Sequence, residues 1–103
     1  MKVTFLGTGT STGIPTIGVK RESCLSSDKR DNRLRSSILI EYKSKSILID
    51  CGPDFRQQML RINKTKVDAI FFTHEHADHT AGIDDIRTIS ILQGKITINA
   101  HQR

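Results

Sequence analysis

The most informative part of the sequence is His74-Glu75-His76-Ala77-Asp78-His79, which places four metal-binding side chains in six consecutive positions. Imidazole and carboxylate are common ligands of zinc and, in nitrogen and oxygen sites, of iron and manganese. An apolar, strand-like run over residues 69–73 precedes the stretch, and residues 80–83 after it read as a helix entrance. The alternative is a solvated polar turn, but three of the chain's four histidines fall in this hexapeptide. We therefore predict a metal site at a strand end.

The spacing within the hexapeptide favours two metal ions. On an extended segment His74 and His76 point to the same side, because side chains alternate with a period of two. Once the chain turns toward a helix, the adjacent Asp78 and His79 can point to a second position nearby. We expect His74 and His76 to hold the first ion and Asp78 and His79 to hold the second.

The hexapeptide matches the H-x-H-x-D-H signature and so resembles the metallo-β-lactamase-fold hydrolases. Further blocks resemble one branch of that family in the same order; they cover residues 3–11, 33–37, 49–56 and 84–87. The branch contains phosphodiesterases that act on phosphoribosyl cyclic phosphate. The resemblance implies an α/β fold, the N-terminal half of a metallo-β-lactamase-type αββα sandwich. Residues 1–103 would form a single, incomplete domain, because the family's domain usually runs to about 250 residues.

The resemblance also implies a metal-dependent hydrolase, most simply a phosphodiesterase with two divalent ions, zinc or manganese, in the complete site. Such ions lower the pKa of bound water and polarise phosphoryl oxygens. Catalytic roles are implied for Asp78 and for Asp50, which closes a strand and could accept the second ring N–H of a ligand histidine. Asp54 competes for that role but occupies a helix N-cap position. Arg33 and Arg35 could contact phosphate, although each alone is expected to face solvent.

Several ligands of the complete family site are not found in this sequence. The family takes a third histidine, a bridging aspartate and a final histidine from sequence well beyond residue 103. His101 follows His79 by only 22 residues, too early to align with the third ligand, and is expected on the surface. The chain therefore carries half a metal site, and we expect residues 1–103 alone to show little or no hydrolysis.

Three functional readings remain open. The first is a phosphodiesterase whose substrate is a small-molecule phosphodiester. The second is a relative of nucleases that process RNA 3′ ends, which the long basic loop permits, although no aromatic platform for stacking bases is visible. The third is a catalytically incomplete chain that binds one metal weakly or serves as a dimerising fold.

Charge and composition limit the partners and the cellular compartment to be expected. Residues 1–65 hold 12 Lys and Arg against 6 Asp and Glu, whereas residues 66–103 hold 4 against 5. A basic flank suits a phosphate-bearing substrate, including nucleic acid, and equally fits an ordinary solvated surface. No apolar run approaches the roughly 18–20 residues of a membrane span, so no membrane partner is expected. Two cysteines, Cys24 and Cys51, give no disulfide framework, which favours a reducing cytoplasm.

Periodicity and turn residues predict a mixed or largely antiparallel sheet with two helices. Strands are predicted over residues 2–6, 37–43, 45–50, 68–73 and 95–100, with an irregular stretch over 7–36. One helix is predicted over about 54–63, with Phe55, Met59 and Leu60 on one face. Another is marked by Ile83, Ile86, Ile89 and Leu92 and ends at Gly94. Half a sandwich leaves an apolar face exposed, so self-association or contact with the missing half is expected.

Overall fold

The computed structural model describes residues 1–101, which form one five-stranded sheet in the order β1-β2-β3-β4-β5. The strands are β1 (Lys2–Gly7), β2 (Ser37–Tyr42), β3 (Lys45–Ile49), β4 (Ala69–Phe71) and β5 (Thr97–Asn99). The pairs β1–β2 and β2–β3 are antiparallel, and the pairs β3–β4 and β4–β5 are parallel. The mixed sheet that the sequence predicts is therefore confirmed.

In the described part of the chain, four α-helices lie in the connections between strands, and three of them connect the parallel strands. They are α1 (Glu22–Leu25) in the long first loop, α2 (Phe55–Ile62), α3 (Ala77–Thr80) and α4 (Ile86–Gln93). The predicted end at Gly94 is confirmed, since this glycine is the C-cap of α4. Within residues 1–101, no helix is both long and apolar enough to cross a membrane.

A short helix, α3, begins before the helix entrance predicted at residues 80–83, at Ala77 inside the metal motif, and a 3-10 helix over Ile83–Asp85 then leads into α4. His76 is still extended and forms the N-cap, and the side chain of Thr80 then donates to the carbonyls of Glu75 and His76. These bonds close the turn one residue after His76. Asp78 and His79 consequently lie on a helical turn, whereas His74 and His76 lie on extended chain.

The predicted hairpin of β2 and β3 is confirmed. Its two turn residues, Lys43 and Ser44, both have positive φ, 45° and 63°, as a two-residue turn of type I′ requires. The register that follows pairs Leu39 with Leu48, and both side chains are fully buried. The hairpin thus turns one apolar row toward the helices.

The core lies on one side of the sheet. Leu39, Leu48 and Ile70 form its sheet side, and α2 and α4 cover them through Phe55, Met59, Ile86 and Ile89. The expectation that Leu60 and Leu92 share this face is wrong, since they are 64% and 73% exposed. Successive residues lie about 100° apart around the helix, and the inward arc of α2 holds Gln58 and Met59, which leaves Leu60 outside it. Buried Gln58 takes the neighbouring inward position and donates its amide to the Arg35 carbonyl.

The other side of the sheet presents apolar side chains without cover from α2 or α4. Its members alternate with the buried row and are paired in register; they are Val3, Phe5, Ile38, Ile40, Ile47, Ile49 and Phe71. Val3, Phe5 and Phe71 are 47%, 65% and 44% exposed, and the isoleucines are partly exposed. We call this set the open face. It is the feature expected of half of a layered sandwich.

The packing of α2 predicts very different costs for two neighbouring truncations. Met59→Ala should lower the free energy of unfolding by about 2–5 kcal/mol, because it leaves a cavity between α2 and the sheet. Leu60→Ala, one residue further on, should change it by less than about 0.5 kcal/mol. Urea unfolding followed by circular dichroism measures both. Equal losses for the two variants would contradict the orientation of α2.

Candidate metal centre

Two parallel strands end where the metal motif begins. Because β3 and β4 are parallel neighbours, their C-terminal ends lie at the same edge of the sheet. Asp50 follows β3 directly, and its N–H donates to the Phe71 carbonyl at 2.9 Å. Thr73 and His74 follow β4 within three residues. The site is therefore built at a strand's C-terminal edge, where the sequence places it.

Asp50 is buried, 4% exposed, and has a φ of 63°, a backbone conformation that L residues seldom adopt. Its carboxylate accepts three hydrogen bonds. Oδ1 accepts from the Thr73 N–H at 2.8 Å, and Oδ2 accepts from the Thr73 hydroxyl at 2.7 Å. His79 Nδ1 also lies 2.7 Å from Oδ2. These contacts offset the cost of the left-handed backbone, which is of order 1–3 kcal/mol.

All four residues of the predicted ligand set come together. The ligand atoms of His74, His76 and Asp78 lie within 4.8 Å of one another. His79 Nε2 lies 3.0 Å from Asp78 Oδ2. The ring centre of His74 is 4.6 Å from that of His76 and 4.1 Å from that of His79. His79 thus joins the other three donors through Asp78, and the four form one cluster. The distances do not separate them into the two predicted pairs.

The chemistry of the cluster fits a metal ion. An ionised carboxylate only accepts hydrogen bonds, so the proton between Asp50 and His79 belongs to His79 Nδ1. When the ring is neutral, its Nε2 lone pair faces the Asp78 carboxylate oxygen at 3.0 Å. Two such donors repel each other unless a proton or a metal ion lies between them. Zinc bonds of about 2.0–2.2 Å suit atoms at these separations after small side-chain adjustments.

Two glycines let the backbone approach the motif closely. A Cβ on Gly52 would collide with the Asp78 carbonyl, and one on Gly82 would collide with the Gly52 carbonyl. The Cys51 N–H donates to the His79 carbonyl at 2.8 Å, and the Gly82 N–H donates to the Cys51 carbonyl at 2.9 Å. These bonds fasten the end of β3 to α3.

Two glycines of the first loop allow a close backbone approach elsewhere in the fold. Gly7 and Gly9 lie against the backbone of residues 33–35, as the bridge between Gly9 and Arg35 requires. In the sequence, the close approach at the motif is indicated by the positions of Gly52, just after the strand end, and Gly82, just after the motif.

Asp54 and Arg35 form a contact that the sequence did not reveal. Asp54 occupies the predicted N-cap position of α2, but its side chain makes no capping bond. Its carboxylate instead accepts from the Arg35 N–H at 2.9 Å and from Arg35 Nη1 at 3.0 Å. Arg35 is therefore only 30% exposed in its side chain, contrary to the expectation that it faces solvent. Arg33 is exposed, as expected.

A cavity of about 400 Å³ adjoins the cluster, and its lining includes Thr73, His74, Thr80 and His101. His101 is exposed, as expected, yet it borders the same space as His74. Sequence reasoning missed this placement. The available signal was its position just after β5, because the parallel strands β3, β4 and β5 all end at one edge of the sheet.

Cys51, directly after Asp50, is fully buried. Burial, with smaller contributions from the charges of Asp85 and Asp50, raises the pKa of its thiol to about 12. Neither Cys51 nor Cys24 forms a disulfide. The Cys51 side chain therefore stays a neutral thiol near the site.

Comparison with known proteins gives the class. A family model described as the Beta-lactamase superfamily domain matches residues 45–103, more than half of the chain. The chain therefore belongs to this family, a metallo-β-lactamase-fold family of hydrolases that bind metal ions.

Among solved structures, the chain is similar to a diphosphatase from the PhnP family, with a TM-score of 0.88 and 47% identity. The likeness covers 93% of this chain and 39% of that one. The Zn²⁺-bound PqqB from Methylobacterium extorquens gives a TM-score of 0.72 over 97% of this chain and 49% of that one. At 18% identity, the second likeness shows the fold alone.

Curated relatives are longer than this chain. An octanoyltransferase from Porphyromonas gingivalis is 51% identical over 90 residues, which are 86% of this chain and 18% of that protein. A ribonuclease Z from Methanosarcina mazei is 35% identical over 98 residues, which are 92% of this chain and 27% of that protein. The chain thus spans roughly a fifth to a quarter of the length of these relatives.

The close approach at Gly52 predicts a local effect of adding one methyl group. Gly52→Ala should lower the free energy of unfolding by about 1–3 kcal/mol and shift the imidazole NMR signals of His79, because the Asp78 carbonyl must move. The control is Gly18→Ala, whose new Cβ meets open space. That variant costs about 1 kcal/mol through its positive φ and should leave the imidazole signals in place. Unmoved His79 signals in Gly52→Ala would contradict the contact.

Proposed function

We propose that this chain forms the N-terminal part of a metal-dependent phosphodiesterase with a dinuclear site. His74 and His76 hold the first ion, and Asp78 and His79 hold the second. The observation that carries the proposal is the convergence of these four donors at one sheet edge, beside a buried carboxylate. The nitrogen and oxygen donor set suits zinc or manganese. Bound divalent ions supply acidified water and polarise a phosphoryl oxygen.

Within this site the aspartates have different tasks. Asp78 places a carboxylate oxygen 3.0 Å from His79 Nε2, within the cluster of ligand atoms. Asp50 contacts the opposite nitrogen of that ring, Nδ1, and so directs Nε2 toward Asp78. A carboxylate that holds a ligand histidine in this way raises its basicity and sets its orientation. We therefore assign Asp50 as a positioning residue and Asp78 as a metal-binding catalytic residue.

The rest of the domain completes the site in this proposal. The open face needs cover, and the similar diphosphatase is more than twice as long as the stretch that this chain matches. A C-terminal portion would supply the remaining ligands, a third histidine, a bridging aspartate and a final histidine, and would cover the open face. The free state of Cys24 and Cys51 supports a reducing, cytoplasmic compartment.

A small phosphodiester is the proposed substrate class. The cavity beside His74, at about 400 Å³, lies in the range of small-molecule sites, roughly 300–1,000 Å³. The similarity to a diphosphatase supports a substrate with phosphate groups. Turnover of a bis-aryl phosphate and of a cyclic phosphodiester by the complete domain tests this assignment. If the complete domain cleaves neither compound, the assignment is contradicted.

RNA is the second candidate, favoured by a specific surface as well as by the ribonuclease Z relatives. A cleft of about 570 Å³ lies at the end of the sheet away from the metal cluster, and five lysines line it; they are Lys2, Lys43, Lys45, Lys64 and Lys66. Such a surface suits a phosphate backbone. RNA processing would require cleavage of a 3′-extended RNA with strong salt dependence of binding, which a small phosphodiester does not show.

Two substitutions test the ligand assignment within the complete domain. His76→Ala and Asp78→Ala should each remove bound metal and lower turnover more than about 100-fold, because losing a ligand costs more than losing a supporting contact. Metal analysis and initial rates measure both effects. Asp84→Ala is the matched control, since Asp84 is exposed and paired with Arg87 outside the cluster. Full metal content and unchanged turnover in His76→Ala would overturn the assignment.

The 103-residue chain alone should show little or no hydrolysis of a bis-aryl phosphate. Each ion would have only two protein ligands there, which gives neither tight affinity nor a fixed geometry. Initial rates on material free of contaminating hydrolase measure this. Turnover at ordinary enzyme rates would mean that the missing ligands come from a second copy or from His101.

The same chain should self-associate through its open face. Sedimentation velocity should show oligomers for the wild type and a shift toward monomer for Val3→Thr with Phe5→Thr. Ile17→Thr is the control, because Ile17 is fully exposed on the first loop and away from the sheet. A wild type that stays monomeric at all concentrations would contradict the proposed association.

A further inference from the structure

The side chain of Thr73 lies between the buried carboxylate and a second histidine of the cluster. Its Oγ1 is 2.7 Å from Asp50 Oδ2 and 2.9 Å from His74 Nδ1. Its backbone N–H also donates to Asp50 Oδ1 at 2.8 Å. Thr73 therefore touches both oxygens of Asp50 while it also touches the ring of His74.

The direction of each hydrogen bond follows from counting protons. A threonine hydroxyl has one proton to donate and two lone pairs that accept. The Asp50 carboxylate can only accept, so the hydroxyl proton points to Asp50 Oδ2. The remaining contact, to His74 Nδ1, then requires the ring to donate. His74 consequently carries a proton on Nδ1, and in the neutral ring the lone pair then lies on Nε2.

We propose that Thr73 is a positioning residue. Its hydroxyl donates to Asp50 and accepts the Nδ1 proton of His74, and this leaves Nε2 of His74 free for a metal ion. This proposal rests on the metal site proposed above and extends it to a residue outside the H-x-H-x-D-H motif. The expected chain of donors runs from His74 Nδ1–H to Thr73 and from the Thr73 hydroxyl to Asp50.

One carboxylate then governs a histidine in each of the two proposed metal positions. His79 meets Asp50 Oδ2 directly, at 2.7 Å, and His74 meets the same oxygen through Thr73. Hydrogen bonds that are linked in a chain within a partly buried site polarise one another. Asp50 contacts the His79 ring directly and reaches the His74 ring only through the Thr73 hydroxyl, so a substitution at Thr73 separates the two effects.

The substitution that separates them is Thr73→Val. Valine keeps the branched shape and the backbone N–H that donates to Asp50 Oδ1, and it removes only the hydroxyl. The direct bond between His79 and Asp50 stays. We expect His74 to lose its preference for the Nδ1–H tautomer, while His79 keeps its own. Thr73→Ser restores the hydroxyl and should restore the His74 tautomer.

The test is ¹⁵N NMR of the imidazole rings in the metal-free 103-residue chain at pH 8, where an ordinary imidazole is neutral. Cobalt titration of the complete domain, followed by visible absorption, gives metal affinity, because the 103-residue chain offers only two ligands to each ion. Thr73→Val should weaken cobalt binding about 10–100-fold, as loss of a supporting contact typically does. Thr73→Ser should recover most of it. Thr88→Val is the matched control, since the Thr88 hydroxyl donates to the Asp85 carbonyl on α4.

Each outcome decides the proposal. An Nε2–H tautomer of His74 in the wild type would overturn it, even if Thr73→Val fails to fold. An unchanged His74 tautomer and unchanged cobalt affinity in a folded Thr73→Val would also overturn it. If the wild-type chain shows the expected tautomers but the complete domain binds no cobalt, the hydrogen-bond arrangement stands and the metal-dependent function fails.

Discussion

The structure at the sheet edge depends on one interaction, the acceptance of three hydrogen bonds by the buried carboxylate of Asp50. A carboxylate in this position needs its donors, because a buried charge without partners is costly. The donors come from Thr73, after β4, and from His79, on α3. The same three bonds that satisfy the charge therefore join β3, β4 and α3, and they orient the metal motif while doing so.

Close backbone packing makes that interaction possible. Gly52 and Gly82 allow the chain after β3 to lie directly against the turn of α3, and the two backbone bonds of Cys51 hold it there. With only four residues, α3 has no independent stability as a helix. Its position is thus set by contacts with the strand end rather than by its own sequence. This is why Asp78 and His79 can converge with donors that lie on extended chain.

The sequence predicted the features that depend on local pattern. Alternation and turn residues placed the β2–β3 hairpin, and the histidine spacing placed the metal motif at a strand end. Features set by distant partners were missed. Arg35 is held by Asp54, 19 residues away, and Leu60 loses the inward position to Gln58 and Met59. Neither outcome follows from the residues nearby in sequence, because each depends on which surface the finished sheet presents.

Charge placement connects the fold with the proposed chemistry. The cluster edge gathers Asp50 and Asp78 among its histidines, whereas the lysine cleft lies at the other end of the sheet. At the cluster, His79 Nε2 and the Asp78 oxygen lie 3.0 Å apart, so a proton or a metal ion between them removes the repulsion of two electron-pair donors. A ligand that binds the folded state stabilises it by mass action. In the proposed site, metal binding would therefore be linked to the position of α3, because the contacts that orient the donors are the ones that hold the short helix in place.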